Sequence, residues 1–204
     1  MDLILIIIIV TCAVSILAFN NNHMLYRLMM NPYSVKHQKQ YYRVFTSGLI
    51  HADYMHLFVN MFVLYSFGRV LQLYYVDLFD EKAGYYLLCL YIGGIILSDV
   101  PTYVRHQNNP GFNSLGASGA VSAVLFSYLF INPLQKIYAF MFFPMPGIIW
   151  GALYMAYSYY MSKRGGDHIN HDAHLYGAIF GIIFTLAMKP ELALRFYHNI
   201  TSFL

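Results

Sequence analysis

Six predominantly apolar stretches divide this chain: Leu3 to Phe19, Tyr54 to Val76, Gly84 to Val104, Leu115 to Ile131, Pro146 to Met161 and Ala173 to Met188. Each is near the length of about 20 residues that a tilted helix needs to cross a bilayer. Composition points the same way. Hydrophobic residues make up 59% of the chain, charged residues only 10%, and the mean hydropathy is +0.51, which is too apolar for an ordinary water-soluble domain. The expected fold is an all-α membrane protein, one domain over residues 1–204 with six transmembrane helices. The lipid bilayer is its solvent, and no length is left for a separate soluble domain.

The formal charge of +3 comes from twelve scattered Lys and Arg residues, with no basic tract, so no nucleic-acid partner is assigned. Cys12 and Cys89 lie inside apolar runs, which excludes a disulfide framework and a CxxC metal knuckle. The first apolar run follows Asp2 rather than a basic region and ends in Asn20-Asn21-Asn22 without a small-residue cleavage site, so it reads as a retained helix. Pro133 is expected to stop the fourth helix and Pro146 to start the fifth, with Gln135 to Phe143 lying along the interface. The connection from Asn20 to Ala52 is long yet rich in Tyr, Met, Leu and Phe, the composition of a folded, partly immersed loop. Ser162 to Asp172 is polar with a Gly-Gly pair, the composition of a mobile surface loop.

Polar residues inside a bilayer are costly and therefore functional candidates. Helices two, four and six start on the same membrane face, which puts His56, Ser118 and His174 at similar depth, with Asn60 one turn along from His56. Taken singly, each has a bland reading. Ser118 sits in the small-residue run Gly116 to Ala120, a common helix-packing surface, and His174 precedes a GxxxG face at Gly177 and Gly181. His56 and Asn60 can be interhelical hydrogen-bond partners. Their coincidence at one depth points instead to a site. A serine hydroxyl needs a base to become a nucleophile, and histidine suits that exchange near neutral pH. Asn60, His56 and the amides opening the fourth helix can stabilise an oxyanion, aided by the helix dipole. No intramembrane acid is placed as a third member, since Asp172 projects from another side of the helix than His174, so a dyad is expected. No HExxH occurs, and no metal is assigned.

With these residues in place, the chain from Tyr42 to about Gly181 resembles the rhomboid protease family. His51-Ala-Asp-Tyr-Met-His56-Leu-Phe-Val-Asn60 matches the H-x4-H-x3-N pattern of the second helix. Gly116-Ala117-Ser118-Gly119 matches the GxSG nucleophile motif, and Ala173-His174-Leu175-Tyr176-Gly177 the AHxxG base motif. Tyr42-Arg43 stands where the family usually has Trp-Arg. The resemblance implies a serine protease that cuts other membrane proteins in or near their transmembrane segments, without cofactor or metal. It assigns Ser118 and His174 as the dyad and His56, Asn60 and the Ala117 and Ser118 amides as the oxyanion hole, with His51, Gly116, Gly119 and Gly177 in support. It also implies substrate entry near the fifth helix under a cap from Ser162 to Asp172. The location implied is the cell (inner) membrane, with the site opening to the extracytoplasmic side.

Two features depart from the family. Many members carry an aromatic residue four positions after the nucleophile, stacked on the catalytic histidine; here that position is Ser122. Basic residues also oppose the family's orientation, because Arg69, Lys82, Lys136, Lys189 and Arg195 lie on the N-terminal side and the other seven on the opposite side. The main rival is a catalytically inactive rhomboid-like protein that binds membrane clients, although such proteins usually lack the nucleophile or the base. A small transporter lined by His56, Asn60 and His174 is a second rival. The sequence carries no signal of oligomeric state.

Overall fold

The computed structural model describes residues 2–139, 143–167 and 169–203. Helix α1, Leu3–Phe19, matches the first apolar run and is capped by Asp2, whose carboxylate accepts from the Leu5 amide at 3.1 Å and pairs with Arg69 at 2.9 Å. Three short helices follow in the long connection: α2 Asn22–Leu28, α3 Pro32–Gln38 and α4 Arg43–Thr46. Then come α5 Tyr54–Val63 and α6 Arg69–Phe79, joined by a π-helical turn over Leu64–Gly68. Helix α7, Ala83–Ser98, is broken from α8, Val100–His106, at Asp99, and α9 spans Ser118–Ile131. After an antiparallel hairpin of β1 Lys136–Ala139 and β2 Phe143–Pro146 come α10 Gly147–Arg164, α11 His171–Met188 and α12 Leu192–Phe203.

Six separate spans do not emerge from length and apolarity. Among the described residues, one continuous helical stretch, Tyr54–His106, is long and apolar enough to cross a membrane, and His171–Met188 with Leu192–Ser202, bent by 117°, qualifies as a second only if the pair counts as one span. Helices α1 and α9 are apolar but have 17 and 14 residues, or about 26 and 21 Å at 1.5 Å per residue, short of a hydrocarbon core of about 30 Å. The segment before α10 folds as an antiparallel pair of strands, with residues 140–142 outside the described residues, and α10 begins at Gly147, so Pro146 is its extended N-cap rather than its first helical residue. An additional helix, α12, packs on α9 through the stacked rings of Phe196 and Phe130, 5.0 Å apart.

Helix α9 is the centre of the bundle, buried at every position from Gly119 to Leu129, as expected of a helix apolar on all sides. Helix α11 lies against it backbone to backbone. A side chain at Gly177 would collide with the Gly119 carbonyl, and one at Gly181 with that of Ala123. On the other flank Gly94 of α7 meets Ala120. Small residues of this kind let helices approach closely where lipid supplies no hydrophobic drive. The surface is apolar as well as the core: Ile9, Leu17, Phe58, Leu73, Leu153 and Ile183 are exposed, while among the hydrophobic core residues lie a few small polar ones, Thr11, Ser15, Ser98, Ser127 and Thr185. The hydroxyls of Tyr75, Ser127 and Thr185 satisfy one another at 2.9 and 2.6 Å, which meets the requirement that buried polar groups be paired.

Candidate active site

Ser118 is the first residue of α9, and the chain reaches it through Gly116 at φ +120°, a backbone state that a side chain rarely adopts. There is no room for one either, because the His56 ring lies 2.7–2.8 Å from where a Cβ would sit. Glycine at 116 thus lets His56 close over the nucleophile loop. His174 is in the first turn of α11, three residues before Gly177, whose close approach is to Gly119 beside Ser118. The seam between α9 and α11 therefore packs the helix start that bears Ser118 against the helix whose first turn bears His174, and both residues are partly accessible. Among the described residues no hydrogen bond joins them; such contacts commonly tighten only with substrate bound.

His51 is fully buried and organises the loop from below. The Ala117 amide donates to His51 Nε2 at 3.4 Å, and Nδ1 lies 2.9 Å from the Ser15 hydroxyl, which itself donates to the Leu49 carbonyl at 3.0 Å. With Nε2 accepting and the serine proton committed, the imidazole is neutral and protonated on Nδ1. Asn60, one turn beyond His56, is buried, and its Nδ2 donates to the His56 carbonyl at 3.0 Å, which leaves a second amide hydrogen for another acceptor. Ala117 offers no side-chain cap to α9, so the Ser118 amide at this helix start keeps its donor for an anion.

The long first connection holds this loop in register. Met30 and Ser114 exchange both backbone hydrogen bonds (2.9 and 3.0 Å), and the Gly116 amide donates to the Ser47 carbonyl at 2.9 Å. The Asn31 side chain, 7% exposed, donates to the Pro110 and Phe112 carbonyls and to Asn113 Oδ1 at 3.0–3.1 Å. Arg43 in turn ties the connection to itself, donating to the Tyr26 and Met29 carbonyls at 2.8 Å.

Asn170 and His171, both near the site, are not singled out by the sequence. Asn170 caps α11 by accepting from the Ala173 amide, and is held by Asp99 and Thr102 at the α7–α8 break. An asparagine just before an apolar helix is a legible cap signal; its partners, about 70 positions away, are not. His171 is buried, 2.9 Å from Asp167 and edge-on to His174. Asp172 pairs with Arg105 at 2.5 Å and with Ser162, partners that take it away from a triad role. Among the described residues no group of His, Cys, Asp and Glu could hold a metal.

A Rhomboid domain model matches residues 38–191. Among curated proteins, the chain is 27% identical to RHOMBOID-like protein 12, mitochondrial, of Arabidopsis thaliana over 81% of this chain and 51% of that protein. It is 33% identical to Rhomboid protein 1, mitochondrial, of Saccharomyces cerevisiae over 68% and 39%. Presenilin-associated rhomboid-like protein A, mitochondrial, of Danio rerio is 27% identical over 76% and 41%. The chain spans about half the length of these relatives or less. All three are named as mitochondrial, so the expectation of a cell inner membrane finds no support in them. A family model covering most of the chain, motifs included, settles the classification: this is a membrane protein of the rhomboid family.

Proposed function

We propose that this chain is an intramembrane serine endopeptidase that hydrolyses peptide bonds in or near the transmembrane segments of other membrane proteins. The observation that carries the reading is the α9–α11 seam, where Gly177 against Gly119 sets the helix start bearing Ser118 beside the turn bearing His174. The spans in this reading are α1, α5–α6, α7–α8, α9, α10 and α11, with the site on the membrane face opposite the N-terminus.

In this reading the Ser118 hydroxyl attacks the scissile carbonyl carbon while His174 takes its proton, then returns that proton to the leaving amine. Water, deprotonated by His174, hydrolyses the acyl-enzyme and releases Ser118. The tetrahedral oxyanion is met by the Ser118 amide, His56 and the free amide hydrogen of Asn60. The Ala117 amide contributes only on leaving His51. Donors fixed by the fold before reaction lower the barrier because they need no reorganisation.

Incubating the reconstituted chain with single-span membrane proteins and mapping the fragments by mass spectrometry tests this. Cuts in or next to the span, lost in both Ser118→Ala and His174→Ala, are expected. Cutting that survives either change contradicts the dyad, and no cutting of any substrate by the wild-type chain favours the client-binding alternative.

A further inference from the structure

We propose that Tyr154 of α10 is the residue that positions His174, so that the fifth long helix supplies part of the catalytic apparatus; this rests on the dyad reading above. The position four residues after the nucleophile is Ser122, 3% exposed and too small to touch the imidazole face with a ring. Tyr154 comes in from α10 instead. Its ring stacks on His174 with centroids 6.1 Å apart and planes 18° from parallel, and its hydroxyl lies 2.7 Å from Ser122 Oγ.

The tyrosine is itself fixed on several sides. Trp150, one turn earlier on α10, stacks on it at 5.2 Å and 19°, and Phe126 of α9 lies 5.5 Å away. Trp150, Tyr154 and His174 thus form a continuous column of near-parallel rings, with separations in the range of offset stacking. No hydrogen bond to the His174 ring is made among the described residues, so ring contacts orient it. His171 provides the edge contact at 5.7 Å. Ser122 is then no gap in the site. It hydrogen-bonds the Tyr154 hydroxyl, one of several contacts that hold the ring, and leaves the room that the tyrosine occupies.

The test is steady-state kinetics of Tyr154 variants on any substrate the wild-type chain cleaves, with melting temperature measured on the same preparations. Tyr154→Leu is expected to lower kcat by about 10- to 100-fold with KM nearly unchanged, the size of effect that a misplaced catalytic group produces. Tyr154→Phe, which keeps the stacking ring, is expected to recover most of that loss. Tyr154→Met, flexible and apolar, replaces leucine if that variant does not fold and carries the same expectation. A leucine or methionine variant with wild-type kcat overturns the inference, and so does a phenylalanine variant as slow as leucine. Cleavage that persists in Ser118→Ala sinks the dyad reading and the inference with it. A dead Ser118→Ala beside an undamaged Tyr154→Leu sinks the inference alone.

Discussion

The connection from Asn20 to Ala52 precedes the helix of His56 and Asn60, the one from Gly165 to Asn170 precedes the helix of His174, and they are fastened in opposite ways. The first is long and apolar, folds into three short helices, and reaches across to the nucleophile loop at Ser114, Gly116 and Ala117. The second follows α10 through Gly165 and Gly166, both at positive φ with open space around them, and is held at its far end by Asn170 and by the Asp167–His171 pair. One loop is tied to the segment before Ser118. The other leads into the helix that carries His174. In a membrane protein, then, loop length is a poor guide to loop order; the partners of its backbone polar groups decide it.

The comparison breaks most readily at His51. His51→Ala leaves the buried Ala117 amide without an acceptor, at a cost of about 1–3 kcal/mol, and frees the residue before Ser118 to move. Melting temperature and kcat are both expected to fall, with kcat down by about tenfold or more. Full activity in a destabilised variant would reduce the first connection to a structural tie. Asn31→Ala removes the amide that serves Pro110, Phe112 and Asn113. A loss of about 1–2 kcal/mol is expected in denaturant unfolding, with a smaller effect on kcat because the contact lies further from Ser118. Equal stability to wild type would mean that the segment before the nucleophile holds itself in place.

The smallest effect is expected at Asp167. Its hydrogen bond to His171 holds its carboxyl below the ordinary value of 3.8. A depressed carboxylate stabilises the folded loop above its unfolded value, and that contribution is lost as pH falls through the folded one. Hydrogen exchange over residues 165–170, corrected for intrinsic rate, is expected to quicken below about pH 3.8 in the wild type, and Asp167→Asn is expected to remove that pH dependence. Because Asp167 is exposed, the global melting temperature is expected to hold steady. A fall in it would show that the loop is bound into the bundle as tightly as the first connection.

The parts legible in the sequence are those fixed by short-range pattern. Helix α1 was bounded to the residue by its apolar run and Asp2, and the glycines at 177 and 181 announced the close seam. The common depth of His56 and Ser118 followed from counting helices, and the structure places the His56 ring on Gly116. What escaped depends on partners far along the chain. The break at Asp99 makes sense only with Asn170 beside it, and Tyr154 read as one more apolar residue until Ser122 and His174 stood next to it. Hydropathy alone draws six spans, but α9 folds three residues shorter than its run, and the second and third runs are interrupted by the π-helical turn at Leu64–Gly68 and the break at Asp99.

The central claim, that Ser118 is a nucleophile activated by His174, is tested most directly by a fluorophosphonate probe with the modified residue located by intact and peptide mass spectrometry. The account predicts one adduct, on Ser118, formed by the wild-type chain, absent in Ser118→Ala and strongly slowed in His174→Ala while both variants melt near the wild-type temperature. An adduct on another residue, or labelling of Ser118 at the wild-type rate in His174→Ala, would contradict it.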